Sequence, residues 1–300
     1  MESVPITIEP ARPDASERAP RRLPAWIRQR VPGGERYGYL KNVLREFNLH
    51  TVCEEAKCPN MGECWEHGAA TFMLMGDVCT RRCNFCAVAK GRPGYLDAAE
   101  PDHVATVVSA MRLDYCVLTS VTRDDLPDQG ADHIARTIEA IHARLPDCKL
   151  EMLIPDFRGE PDCVARVVNT PLAVLAHNME TVPRLYKQVR PGAVYERSLR
   201  VLELAKQCRA DILTKSGLML GLGESRDELI EVFRDLRRHG CDILTLGQYL
   251  RPSEDQLTVS RYVAPQEFAT FKDDALHLGF RHVESGPLVR SSYHAWQHVS

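Results

Sequence analysis

AATFMLMGDVCTRRCNFC, residues 69–86, runs from an apolar stretch straight into three cysteines within eight positions, Cys79, Cys83 and Cys86. The apolar part, 69–78, is short and nearly continuous, the pattern of a buried strand in a parallel sheet. The loop after it carries Arg81, Arg82, Lys90 and Arg92. Cationic neighbours are expected to lower thiol pKa values and favour the metal-binding thiolate. A tetrahedral metal site or an iron–sulfur cube takes four ligands, so this trio is one short. CEEAKCPNMGEC, residues 53–64, supplies a second trio, Cys53, Cys58 and Cys64.

The strand at 69–78 is the first of a series. Apolar runs recur at 115–121, 150–156, 173–179, 212–222 and 241–250. Segments of helical period lie between them, such as ADHIARTIEAIHARL (131–145) and RDELIEVFRDLRRHG (226–240), the second closing on a glycine. About six strand–helix alternations predict an α/β fold with a parallel sheet under helices. Periodicity alone fits an open doubly wound sheet or a barrel, and in both the chemistry gathers in loops after the strands. CTRRCNFC begins in such a loop.

Hydrophobic content of 44% and charged content of 26% are those of an ordinary globular protein. A net charge of −3 gives no basic field for nucleic acid, and no apolar run is long enough to cross a membrane. Residues 1–32 hold six prolines and no signal-like apolar core, and read as a flexible arm. Arginines there hint at a mitochondrial presequence, but Glu2, Glu9, Asp14 and Glu17 argue against one. The expected compartment is the cytoplasm, with the mitochondrial matrix second, and the eleven cysteines are expected as free thiols or metal ligands.

Zinc cysteines usually come as C-x2-C pairs with a second pair downstream, and no such pair follows here. A 4Fe–4S cube on three thiolates would instead leave one iron open to a chelating small molecule. With the motif after the first strand of a six-fold βα chain, the sequence resembles the radical S-adenosylmethionine (SAM) superfamily. The resemblance implies a partial (β/α)6 barrel and SAM bound at the open iron. It also implies SAM contacts in GLMLGLGE (217–224), through Gly217, Met219, Gly221 and Glu224, and in HNMETV (177–182), through Asn178 and Glu180. TSVTRDDL (119–126) lacks the superfamily's Gly-Gly-Glu, which makes any contact there a backbone one.

The second trio, C-x4-C-x5-C, together with RSSYHA (290–295), narrows the likeness to the lipoyl synthase family. VCEEAKCPN, RDDLPDQGA, LIPDFRGE, LAHNMETVPRLY, QYLRPS and GPLVRSSYHA extend it from about Pro24 to His294. It implies two 4Fe–4S clusters. One, on Cys79, Cys83 and Cys86, generates the radical; the other, auxiliary, on Cys53, Cys58, Cys64 and Ser292, donates sulfur. Ser291 is the nearest competitor for the serine ligand. The implied reaction inserts two sulfur atoms at C6 and C8 of a protein-bound N6-octanoyl-lysine, using two SAM. The implied partners are octanoylated carriers (lipoyl domains of 2-oxoacid dehydrogenases, the glycine cleavage H protein), an electron donor such as flavodoxin or ferredoxin, and an iron–sulfur repair carrier. On this reading the organisation is an arm at 1–32, an extension at 33–68, a radical SAM core at 69–284 and a C-terminal ligand segment at 285–300.

No side chain is expected as acid or base, because an unactivated methylene is far outside the range of any tuned base. Serine oxygen is harder than thiolate and a poorer match for iron in a sulfide-bridged cube, so its bond is the one expected to break when a cluster is dismantled. Cys116, Cys148, Cys163, Cys208 and Cys241 stand singly and receive no role, and His177 and His294 read as scaffolding. Other readings are a biotin-synthase-like sulfur inserter, which would not need RSSY or C-x4-C-x5-C, and a zinc or redox-sensing binding protein.

Overall fold

The computed structural model describes residues 23–27, 33–47, 49–55, 58, 60–66, 71–293, 295 and 297. Most of the arm at 1–32 therefore lies outside the described residues, as does His294. Within the arm, Leu23–Ile27 forms a turn in which Ile27 N donates to Pro24 O at 3.0 Å and the Ile27 side chain is buried.

The upstream cysteines sit in an N-terminal set of short elements: α1 (Glu35–Glu46), β1 (His50–Thr51), α2 (Val52–Glu55) and α3 (Met61–Glu66). After β2 (Thr71–Leu74) a small pair, β3 (Val78–Cys79) and β4 (Ala89–Lys90), brackets the second trio. Strand and helix then alternate through α4 (Glu100–Ala110), β5 (Tyr115–Ser120), α5 (Ala131–Arg144), β6 (Lys149–Leu153), α6 (Pro161–Val168) and β7 (Val174–Ala176). The series ends with α7 (Tyr186–Val189), α8 (Tyr195–Cys208), β8 (Leu213–Leu220), α9 (Arg226–Arg238), β9 (Ile243–Gln248), α10 (Pro265–His277) and β10 (His282–Gly286).

One sheet runs in the order β1-β2-β5-β6-β7-β8-β9-β10, parallel throughout except for β1 on β2. Leaving aside the separate β3–β4 pair, each strand of this sheet from β2 onward pairs with the next one in the chain. A doubly wound sheet reverses its order at a switch point; this one never does. Right-handed crossovers then put the connecting helices on the same side, and the twisted sheet curls around its other face into a partial barrel. Six strand–helix units run from β2 to α10, as the alternation predicts, and β10 adds a seventh parallel strand.

Local sequence explains the element ends. β2 stops at Leu74, short of the expected 78, because Met75 (φ 69°) and Gly76 (φ 86°) leave the extended region. The Glu100 carboxylate holds that bend by accepting from Met75 N at 2.9 and 3.0 Å, and it meets His133 Nε2 at 2.5 Å. α9 starts on a full capping box between Ser225 and Glu228, and buries Leu229, Val232, Phe233 and Leu236 at helical spacing. Gly240, at φ 80°, ends its C-terminal turn in the left-handed region.

A buried polar network links β5, β6 and β8. Lys215 Nζ pairs with Glu151 Oε1 at 2.8 Å, both side chains essentially inaccessible, and Tyr115 Oη donates to Glu151 Oε2 at 2.6 Å. Burial lowers the Lys215 pKa, and Glu151 opposes the shift. Lys215→Met, which leaves the carboxylate buried without its cation, is expected to destabilise the fold by about 3–5 kcal/mol; adding Glu151→Leu should recover much of the loss. Denaturant melts of the single and double variants check this.

Candidate metal centres

The Cys79–Cys86 loop is held from several strand ends at once. Pairing of Cys79 with Lys90, and Gly91 N donating to Cys79 O at 3.0 Å, closes the base of the loop. Arg81 makes a fork to Asp124 beyond β5 (Nε to Oδ2 and Nη2 to Oδ1, both 2.9 Å) and also meets Asp156 beyond β6 at 2.8 Å. A planar guanidinium bridging two carboxylates fixes orientation as well as charge. Thr80 Oγ1 donates to Thr122 O at 2.9 Å, and Asn84 bonds α7 through Val189 O (2.9 Å) and Gln188 O (2.7 Å). Cys86 O accepts from Gln256 Nε2 at 3.4 Å. RDDL and IPDF are therefore the brackets of this loop.

Two backbone amides, Thr122 N at 3.3 Å and Arg81 N at 3.5 Å, point at Cys79 Sγ, as donors to an anionic sulfur do. Burial raises the Cys83 pKa, with Arg190 acting against it, and pushes Cys86 up to about 11, helped by Cys83 and Cys79. This corrects the expectation from the basic loop. Arg81 is neutralised by its two aspartates, while Arg82, Lys90 and Arg92 point to solvent, so desolvation wins over the cations. A bound cationic centre is what would keep Cys83 and Cys86 as thiolates.

The first trio is built by short turns. Cys58 N donates to Cys53 O at 2.9 Å, and Cys64 N to Asn60 O at 2.9 Å. Asn60 Nδ2 donates to Leu288 O at 2.6 Å and so ties this loop to the C-terminal segment. There a turn closed by Tyr293 N on Arg290 O (2.9 Å) presents Ser291 and Ser292 at its middle. Gly247 makes the approach possible: a Cβ on it would lie 2.1 Å from Val289 O. Burial and the nearby Cys58 push Cys53 up to about 12; burial raises Cys58 too, opposed by Arg290.

Members of both sets line one cavity of about 430 Å³. Cys53, Cys58, Ser291 and Ser292 contribute to its lining, as do Phe85 and Cys86, whereas Cys64, Cys79 and Cys83 lie outside it. Asn178, Glu180, Gly217 and Met219 line it as well. Among the expected SAM contacts these four are therefore together. A Cβ on Gly217 would lie 2.7 Å from Thr245 Oγ1 and 3.0 Å from Asn178 Oδ1, so glycine keeps this wall open. Asn178 Oδ1 is buried without a partner, an acceptor facing this crowded corner. Glu180, at φ 66°, bonds through its backbone to Gly217 and Met219, and accepts from Asn178 Nδ2 at 3.1 Å. A non-glycine in that region is a strain that clusters at functional sites.

Gly221 and Glu224 stand elsewhere. The Glu224 carboxylate accepts from Gly221 N (2.6 Å) and Leu222 N (2.9 Å), and Gly221 (φ 96°) packs against Arg261 O. GLGE thus shapes the turn after β8 rather than the cavity wall. His177 is buried with Nδ1 on Ile154 O at 2.9 Å, and burial lowers its pKa to about 4, which suits neutral scaffolding. Sequence reading missed Arg190 and Arg290. Arg190 Nη1 donates to the Asn178 and Met179 carbonyls and to Tyr186 Oη. Neither arginine has a spacing that marks it out.

The radical SAM superfamily model matches residues 73–236, and a model for the N-terminal domain of lipoyl synthase of the radical SAM family matches residues 11–58. A lipoyl synthase from Syntrophotalea carbinolica is 57% identical over 273 residues, 91% of this chain and 88% of its own. One from Rubrobacter xylanophilus is 54% identical over 283 residues, 94% of this chain and 88% of its own. Among solved structures, Streptococcus suis SuiB bound to S-adenosylmethionine superposes with a TM-score of 0.58 at 9% identity, covering 87% of this chain and 60% of that one. That likeness is one of fold.

Proposed function

The chain belongs to the lipoyl synthase family of the radical SAM superfamily, and from that premise we propose that its two cysteine sets serve one substrate carbon from two sides of a shared cavity. It is an enzyme whose cofactors are SAM and 4Fe–4S clusters. The reaction is insertion of sulfur at C6 and C8 of a protein-bound N6-octanoyl-lysine. When bound, the cofactors supply a 5′-deoxyadenosyl radical that removes a hydrogen atom from each carbon, and the sulfur that replaces it.

The protein's share is holding and orientation. Cys79, Cys83 and Cys86 hold the SAM-binding cluster; Cys53, Cys58, Cys64 and Ser292 hold the auxiliary one. Asn178 Oδ1 and the Glu180 carboxylate offer acceptors for the SAM ammonium group. Phe85, Met219, Tyr249 and Leu250 give the cavity an apolar lining that suits an alkyl chain and keeps water from it. Gly221 and Glu224 act at one remove, by fixing the end of the β8 strand. The observation that carries this reading is the shared cavity, since hydrogen removal and sulfur delivery must reach the same carbon at near-contact distance.

The carriers of the octanoyl group are the lipoyl domains of 2-oxoacid dehydrogenases or the glycine cleavage H protein. A one-electron donor such as flavodoxin or ferredoxin and an iron–sulfur repair carrier complete the cycle. No described helix is long and apolar enough to cross a membrane; the compartment we propose is the cytoplasm.

Anaerobic purification and iron–sulfide analysis test the cofactor count. About eight irons per chain are expected, two cubes of four. Four irons would favour a single-cluster sulfur inserter, and zinc without iron a binding protein.

A further inference from the structure

We propose that Arg290 is a positioning residue for the Cys53/Cys58/Cys64/Ser292 site, its anchored guanidinium giving hydrogen bonds and positive charge to the anionic group held there. The inference rests on reading that site as an iron–sulfur site. Arg290 lines the shared cavity together with Cys58, Ser291 and Ser292. Its Nη1 donates to Val289 O at 2.6 Å, and Val289 N is in turn fixed on Gly286 O at 3.1 Å. The same Nη1 would lie 3.3 Å from a Cβ on Gly247, so the missing side chain of Gly247 makes room for it. Asn60 Nδ2, bonded to Leu288 O, locks this segment to the loop that carries Cys58.

Arg290 is otherwise unaccounted for. Among the described residues it makes no ion pair with a carboxylate and no side-chain hydrogen bond beyond Val289 O. A guanidinium has five N–H donors, and placing one in a cavity wall with a single carbonyl partner is costly unless an anion joins it. Cys58, a ligand of the proposed site, lines the same cavity wall. A cube on three thiolates and a serine oxygen carries net negative charge, and its potential and retention depend on neighbouring charge and on hydrogen bonds to its sulfurs. Arg290 offers both from a fixed anchor. Lysine would keep the charge without the fork.

The test uses the full chain with Cys79, Cys83 and Cys86 all replaced by alanine, reconstituted anaerobically with ferrous iron and sulfide, so that only the upstream site reports. Two quantities are followed, the midpoint potential by spectroscopically monitored titration and the rate of iron loss to a ferrous chelator. Arg290→Met is expected to lower the potential and to release iron about tenfold faster or more, with Arg290→Lys between it and the parent. If the methionine variant fails to fold, Arg290→Gln, which keeps donors without the charge, decides by the same readouts. Unchanged potential and release with about four irons still bound would overturn the proposal alone. A parent protein that binds no iron would overturn the reading of the site itself.

Discussion

Cys83→Ala is expected to reduce 5′-deoxyadenosine formation to background while leaving about four irons bound. Two remaining thiolates, Cys79 and Cys86, cannot hold a cube that needs three. The loop itself should survive, because Arg81 on Asp124 and Asp156, Thr80 on Thr122 and Asn84 on α7 fix it without any help from Cys83. Cys58→Ala should give the opposite pattern. Deoxyadenosine still forms, but the octanoyl-lysine gains no sulfur, since the two events draw on different cysteine sets. Chromatography of deoxyadenosine and mass spectrometry of the substrate lysine separate the outcomes. Continued SAM cleavage by Cys83→Ala would remove the radical assignment, and wild-type product from Cys58→Ala would remove the sulfur-donor one.

The two cysteine trios and the buried strands were largely legible in the sequence. Cysteine spacing is a local property, and the apolar runs of β2, β5, β8 and β9 are near-continuous because both faces of a parallel strand are buried. Strand order was not legible. Periodicity says that strands alternate with helices, whereas the sequential pairing from β2 to β10 is what separates a barrel from a doubly wound sheet. β10 escaped because HVESG is mostly polar and only Val283 is fully buried. β1 escaped because two residues carry no pattern.

The site shows the same limit. The sequence placed the cysteine trios 15 residues apart, from Cys64 to Cys79, but could not say that members of both line one cavity. That convergence depends on Gly247 admitting the C-terminal turn and on Asn60 binding Leu288, contacts spanning roughly 40 and more than 200 positions. The thiol electrostatics also ran against the local sequence. A basic loop suggests easily ionised cysteines, yet aspartates from two later strand ends take up Arg81, and burial sets the direction for Cys83 and Cys86. Similarly, Glu224 falls inside a motif expected to contact SAM, while its carboxylate is spent on two backbone amides.

Ser292 is where the consequence is largest for turnover. A chain whose auxiliary cluster is the sulfur source should form at most about one lipoyl group without a repair system, since one cube of four sulfides is dismantled in the process. The serine lies in a turn held by Tyr293 N on Arg290 O, beside Cys53 and Cys58 in the cavity wall. Thiolate is the better iron ligand, so Ser292→Cys should still assemble both clusters and cleave SAM normally for the first hydrogen abstraction. Its stronger bond then resists the iron loss that sulfur transfer requires. The expected result is a slowed or stalled second half-reaction, with substrate lysine carrying one sulfur rather than two. Ser291→Ala should behave like wild type, because the neighbouring hydroxyl keeps its place in the same turn. Mass spectrometry of the lysine follows both half-reactions in a single assay. If Ser291→Ala stalls and Ser292→Ala does not, the ligand is Ser291; if both variants complete the reaction, the serines serve only the turn, and the auxiliary cluster takes its fourth ligand from elsewhere.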